Sequence, residues 1–438
     1  MKLLERSTNR ADSAEVFRIS SKSIPVKFTS GELESVKSYD TTGVALRLIK
    51  EGKLGFSTTT YMNDLDEIVD KAIEASTIGE KVSFQFPTPN KTATTTTFDP
   101  EVEKVKADEL IGLGQGVIKD LHNYDQALSV DVSLKRSISN IEIRNSNGLH
   151  REERRSGISI SVEVQQIDSN DIFSLNESVR FQTRDQLDLS TLLNRTKKKL
   201  KWAREKTNLE NGNYPVIFTP KGLVVLLLPL IVGFDGMNVF QGASPLGGKL
   251  DQKIFAENFS LRDGGVIADS PSKRSFDDEG IPADSKQLIA NGVINTFLHD
   301  LRSASLLKAR PTGNGIKGGL IGDSDFRNMP NANPTSMAIN PGHKTLGKII
   351  ANVDKGLLVD QVLGLGQGNV LSGEFSNNVN VAYKIDKGAI AGRVKNTMIA
   401  GNVYDLLQGP VTLSQEPLWV NGIKTPAVGV DGVSVIQK

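Results

Sequence analysis

The 438-residue chain has no cysteine, only four histidines and two tryptophans, and its charges nearly cancel, with Lys+Arg 52 against Asp+Glu 51. Each shortage removes a class of chemistry. Without thiols there is no disulfide, no thiolate metal site and no cysteine nucleophile. The histidines are His122, His150, His299 and His343, and no two lie within one helical turn, so no local zinc motif with paired imidazoles exists. A formal net charge of +1 argues against a nucleic-acid surface spread over the molecule. The longest apolar run, Leu223 to Val232, is interrupted by Pro229 and falls far short of the roughly 20 residues of a membrane span. Met1 to Ser7 lack the apolar core of a signal peptide. These absences lead to the expectation of a soluble cytoplasmic protein with neither a membrane nor a nucleic acid as partner.

The length predicts two domains of roughly 200 residues each. Gly43 to Ile49 and Leu54 to Thr58 flank a short Gly-containing link and predict a hairpin. Two short strands are expected nearby, at Ala14 to Ser20 and Pro25 to Thr29. Asp64 precedes a helical repeat of Leu65, Ile68, Val69, Ala72 and Ile73 that ends near Gly79, and a second helix is predicted from about Pro100 to Leu121. From Ala127 onward the apolar residues alternate, with the turn Asn145-Ser146-Asn147-Gly148 between runs, which predicts an antiparallel meander. A basic helix, Thr191 to Leu209, closes this half. It reads either as a phosphate- or partner-binding element or as a solvated linker helix whose lysine stems cover apolar surface. The boundary falls at residues 210/211, giving an α+β domain over 1–210 and a β-rich domain over 211–438. In the second, Thr219-Pro220 reads as the cap and first-turn proline of a helix from Gly222 to Gly233. The pentapeptide Gly-Leu-Gly-Gln-Gly occurs at Gly112 and Gly364 in unlike surroundings and is read as chance.

Tested for chemistry, the second half offers fragments. Gly242 to Leu250 lacks both the spacing and the hydroxyl residue of a phosphate loop, and no Gly-x-Ser-x-Gly elbow is present. Asp277-Asp278-Glu279-Gly280-Ile281-Pro282 could hold a hard cation or serve acid/base roles. The plainer alternative is a set of acids that fix a Gly-Pro turn through backbone hydrogen bonds. With His299, Asn314 and Glu374, the residues Asp277, Asp278 and Glu279 are the candidate cavity residues.

The segments Ser244 to Leu250, Phe276 to Pro282, Ile289 to Val293, Asp300 to Ala304 and Thr312 to Gly315 together resemble the TldD/PmbA family, also called modulators of DNA gyrase. Asn340 to Gly342, Lys355 to Val359, Ser372 to Ser376 and Ile399 to Asn402 extend the resemblance over nearly the whole chain. It implies an intracellular metalloprotease of two related subunits that acts on small or unfolded peptides. In that family the TldD-type subunit carries a His-Glu-x-x-x-His helix and a cysteine ligand near its C-terminus. Here the helix positions fall on Leu227 to Val232, and Trp419 to Gly422 contain no cysteine. The resemblance therefore implies the PmbA/TldE-like member, with no catalytic residue and no cofactor of its own. Zinc is expected in a TldD-like partner, and the assembly is a heterodimer or larger, or else a homodimer. Two other readings stay open: an independent homodimeric peptidase with an unrecognised site, and a non-proteolytic regulator of gyrase or of toxin-antitoxin peptides supported by the basic helix.

Overall fold

The computed structural model describes residues 2–168, 171–318, 325–366 and 368–437. In the first half the strands are β1 (Ser13–Thr29), β2 (Glu32–Val36), β3 (Tyr39–Lys50), β4 (Lys53–Thr59), β5 (Ser129–Asn145), β6 (His150–Asp168) and β7 (Asp171–Phe181). They form one antiparallel sheet in the order β4-β3-β1-β5-β6-β7, with β2 added to β1. The β3–β4 hairpin and the Asn145 turn form as the sequence predicts, and the Asn145 side chain accepts from the N–H groups of Asn147 and Leu149. The two short strands expected at residues 14–20 and 25–29 are instead the single β1. Pro25 is tolerated because it sits where the neighbour of β1 changes from β3 to β2.

The helices of this half are α1 (Lys2–Thr8), α2 (Leu65–Ile78), α3 (Pro100–Lys104), α4 (Ala107–Tyr124) and α5 (Ser190–Ala203). Asp64 caps α2 by accepting from the N–H groups of Asp66 and Glu67, and Gly79 ends it. The single helix predicted from Pro100 is two, because Val105 turns extended to bury its side chain in the core. The basic helix stops at Ala203 rather than Leu209.

The second half runs β8 (Gly212–Phe218), α6 (Val224–Phe234), α7 (Gly236–Phe240), β9 (Leu261–Asp263), β10 (Lys286–Ala290), β11 (Val293–Ile294), α8 (Leu301–Leu307), β12 (Gly315–Ile316), β13 (Asn331–Ala332) and β14 (Met337–Ile339). It continues through α9 (Leu346–Ala351), β15 (Lys355–Val362), β16 (Glu374–Asp386), β17 (Ala389–Arg393), β18 (Thr397–Asn402), α10 (Val403–Gln408), β19 (Thr412–Leu413), β20 (Leu418–Val420), β21 (Ile423–Thr425) and β22 (Val428–Gln437). The predicted α+β class with a β-rich second half is the observed one. One sheet there closes on itself, since the pairings β15-β8-β22-β18-β16 return from β16 to β15. Thr219 caps the turn that leads into α6, its hydroxyl oxygen accepting from Gly222 N–H (3.2 Å) and its carbonyl from Leu223 N–H (2.9 Å). Gly222 passes so close to the strand beside it that a Cβ would lie 2.3 Å from the Val359 carbonyl oxygen, and the helix begins only at Val224. The Thr219 hydroxyl also donates to Asp360 (2.7 Å). The Gly112 pentapeptide lies in α4 and the Gly364 one in a loop, with its Gln367 outside the described residues, which fits chance recurrence. Among the described residues no helix is long and apolar enough to cross a membrane.

The two halves share a core. Ile217, Leu358, Val381, Tyr383 and Ile385 pack with Leu192, Leu200 and the inner face of β5 to β7. At this seam the basic helix is not a fully solvated linker. Lys199 is buried, with its ammonium 2.5 Å from Glu177 and 2.6 Å from Asp360. Burial opposes its charge, but Asp360 and Glu177 outweigh burial and raise its pKa. Arg195 also meets Glu177, Lys197 meets Asp120 and Lys206 meets Asp171. Lys199→Ala leaves two buried carboxylates without their central cation, and should lower stability in urea unfolding by about 3–5 kcal/mol. Lys198→Ala, one exposed residue away, should cost less than about 1 kcal/mol.

Candidate functional site

The acid stretch is a tight turn buried between the first sheet and α8. Phe276 bridges Pro282, and Gly280 takes a positive φ of 79° at the apex. Asp277 Oδ1 accepts from the N–H groups of Glu279 and Ile281 (2.9 Å each), and Oδ2 accepts from Gly315 N–H (2.8 Å). Asp278 Oδ2 accepts from Lys317 N–H (2.8 Å). Glu279 turns the other way. Its Oε2 accepts from Leu301 N–H at the start of α8 (2.7 Å), and its Oε1 from Arg47 Nη1 (2.7 Å). Arg47 stands on β3 and donates through Nε (3.0 Å) and Nη2 (2.7 Å) to Glu15 on β1. Gly315 fits because it has no side chain, as a Cβ would lie 2.2 Å from Glu279 Oε2.

The electrostatics follow from burial. Burial works against the Arg47 cation, but Glu15 and Glu279 outweigh it and hold its pKa above the ordinary value. Burial pushes Glu279 up to about 7 against the pull of Arg47, with Asp300 and Glu15 adding to the rise. Asp277 is also raised, by burial and then by Glu279. Lys317 is fully buried, its ammonium 5.2 Å from the Phe17 ring centroid and 5.1 Å from that of Phe56, and burial lowers its pKa to about 7.

The other candidates belong to different networks. Asn314 donates to Asp263 (2.8 Å) and to the Asn333 carbonyl (2.8 Å), while its Oδ1 accepts from Lys286 (2.7 Å) and Thr312 (2.8 Å). His299 is buried edge-on to Phe297, its Nδ1 without a partner among the described residues, and burial lowers its pKa. Glu374 is exposed and begins β16, paired in register with Asn402 of β18. The six residues do not converge on one cavity. The carboxylates of Asp277, Asp278 and Glu279 already accept backbone N–H groups, and this geometry is that of a turn-fixing set. Sequence reasoning passed over Arg47, Glu15 and Lys317. The available signal was Arg47 itself, a lone cation in the apolar run Val44 to Ile49.

The residues at the metal position of the family's helix do not fit zinc. Leu227 is buried in α6, Leu228 and Val232 are half-buried one turn apart, and Pro229 lies between them. None offers the nitrogen, sulfur or carboxylate donor that zinc takes. Among the described residues no group of three or more His, Asp or Glu side chains is placed to hold a metal ion.

Profiles of the PmbA/TldA metallopeptidase match the chain in three stretches: domain 1 over residues 14–76, the central domain over 100–204 and the C-terminal domain over 211–437. A metalloprotease of Methanothermobacter thermautotrophicus is 26% identical over 416 residues, covering 91% of this chain and 87% of its own. An uncharacterised protein of Methanocaldococcus jannaschii is 24% identical over 422 residues, 94% of each. TldE from Thermococcus kodakarensis superposes with a TM-score of 0.90 at 24% identity over 99% of both chains. A candidate DNA gyrase modulator from Thermotoga maritima does so with 0.88, also at 24% identity and 99% coverage of both. At these identities the structural likeness speaks to the fold.

The raised pKa of Glu279 has a definite sign in stability. A carboxyl that binds its proton more tightly folded than unfolded contributes stability that is complete below its ordinary value of 4.5 and is lost as pH rises through about 7. Asp277 acts in the same direction. Lys317 has the opposite sense, its contribution being present above 10.5 and lost as pH falls through about 7. Urea midpoints should therefore decline between pH 5 and 7, by at most about 1.4 kcal/mol per pH unit for one proton. Glu279→Gln should make that decline shallower, and an unchanged slope would contradict the assignment.

Proposed function

Because this chain belongs to the PmbA/TldD metallopeptidase family and carries only apolar side chains at the family's zinc-binding positions, we propose that it is the non-catalytic, TldE-like subunit of a cytoplasmic peptidase whose TldD-type partner supplies the zinc. The observation that carries this reading is the triplet Leu227, Leu228 and Val232 on α6. The partner cuts small or unfolded peptides, and this chain contributes walls of the chamber and holds the active subunit in shape. We take residues 1–210 and 211–438 as its two units, a division supported by the start of the C-terminal family match at residue 211.

A surface beside α6 supports pairing. Leu363, Leu365 and Leu371 are 52%, 41% and 40% exposed, and the loop that bears them passes Gly366 against Leu228. Clustered apolar side chains of this kind are the surface a partner covers. The reading of a regulator acting through the basic helix has less support, since Arg195, Lys197 and Lys199 of that helix meet acidic side chains of this chain.

Purified alone, the chain should contain no stoichiometric zinc and cleave no peptide. Mixed with a TldD-type relative from the same cell it should form a complex whose zinc and peptidase activity belong to the partner. Replacing Leu365 and Leu371 together by Glu should weaken that complex by about tenfold or more while leaving the unfolding midpoint in place. Chelator-sensitive cleavage by the isolated chain would overturn the assignment.

A further inference from the structure

A cleft of about 510 Å³ lies apart from α6, between the first part of β6 and the extended segment 81–99 that joins α2 to α3, with Ser275 and Phe276 at the entry to the acid turn forming part of its wall. β6 pairs with β5 from His150 onward but with β7 only from Ile158. The outer edge of residues 150–157 is therefore not covered by a strand. Ser156 N–H points outward to the Thr97 carbonyl (3.1 Å), and the Arg154 carbonyl accepts from the Thr97 hydroxyl (2.7 Å). By the two-residue period of a strand, the backbone groups of Glu152 face the same way. The N–H of Arg154 and both backbone groups of Glu152 meet no hydrogen-bond partner among the described residues.

The connecting segment accounts for the open edge. Asn145 and Asn147 hold the carbonyls of Pro87 and Phe86, and the Arg151 guanidinium holds Asn90. Its next fastening to β6 is Thr97. Residues 90–97 thus run beside residues 151–156, and the longer piece bows off the shorter. Thr92, Thr95 and Thr96 stand across the gap from the strand and line the cleft. Arg151 also borders it, with a buried Nε that has no partner among the described residues.

We propose that this cleft takes an extended peptide segment, which adds to the free edge of β6 as a further strand beneath the Thr92–Thr97 strap. The edge offers main-chain donors and acceptors at strand spacing, and the strap offers hydroxyls that serve as either. Recognition through backbone groups tolerates many sequences, as strand addition does elsewhere. The exposed charges of Glu152 and Arg154 discourage edge-to-edge stacking of whole proteins. The slot is complete within one chain, so it stands or falls separately from the zinc-bearing partner proposed above.

The test uses the full chain alone and a fluorescein-labelled seven-residue peptide of alternating Val and Thr, read by fluorescence anisotropy. The peptide should bind, and the same peptide N-methylated at every amide should bind about tenfold more weakly or worse. Glu152→Pro removes an outward N–H that takes no part in the β5 ladder and should weaken binding to a similar degree. Deleting Ala93, Thr94 and Thr95 should draw the strap onto the edge and abolish binding. Circular dichroism and unfolding midpoints identify folded variants, and if Glu152→Pro does not fold, the strap deletion decides. Equal binding of the methylated peptide, parental affinity in a folded variant, or no binding of the parent up to about 1 mM would overturn the proposal. So would self-association through this edge with no peptide binding, which would give the edge to a second copy.

Discussion

The Arg47 guanidinium is the joint on which the relation of the two halves depends. It stands in an apolar strand with Glu15 beside it, and it completes its hydrogen bonds only when Glu279 arrives from the second half. A buried cation left with one partner is costly, so the halves have one arrangement in which the charge is fully met. Such a cluster adds little net stability over a well-packed apolar one, and its larger effect is on geometry. From Glu279 the constraint passes on. Its second oxygen fixes the first turn of α8 through Leu301, while Asp277 and Asp278 fix residues 315–317 through backbone N–H groups.

The same device recurs along the seam. Lys199 joins Glu177 of the first half to Asp360 of the second, and Arg393 of the second half reaches Asp171 of the first. Each is a cation supplied by one element to carboxylates on others, buried where the apolar core crosses between halves. Ions placed this way select a register, because a slipped packing would strand them. The acids that looked like a reactive cluster are therefore occupied with holding the scaffold.

What was legible in the sequence was what local pattern specifies. The β3–β4 hairpin, the capped α2, the Asn145 turn and the alternating strands all formed because period, cap and turn residues agreed there. The misreadings came where a distant strand overruled the local signal. Thr219 caps its turn as read, but the helix starts two residues later than expected, at Val224, where Gly222 has passed the Val359 strand. Val105 sits in a helical run, but the core takes its side chain. Lys199 belongs to a row of lysines that reads as solvated, and two carboxylates far away in sequence bury it. The candidate acids were visible as residues, yet their partners Arg47 and Leu301 lie far from them in the chain, and no spacing rule connects such positions. The open edge of β6 was hidden for a related reason: it arises where β7 pairs only from Ile158 onward, and the polar connector that runs beside the remainder is longer than the strand it crosses.

The contrast between the acid turn and α6 then becomes informative. The turn's carboxylates are occupied by backbone N–H groups of this chain, so its presence speaks to architecture and is silent on catalysis. α6 is different. Leu226, Leu227, Leu230 and Phe234 anchor it in the core whatever stands on its outer side. The half-exposed positions Leu228 and Val232 are therefore free to vary without loss of the helix, and here they are apolar. An apolar side chain at such a position is poorly placed facing water and well placed facing another protein. With Leu363, Leu365 and Leu371 on the loop that passes Leu228, the outer side of α6 is apolar, which is the surface the proposed pairing uses.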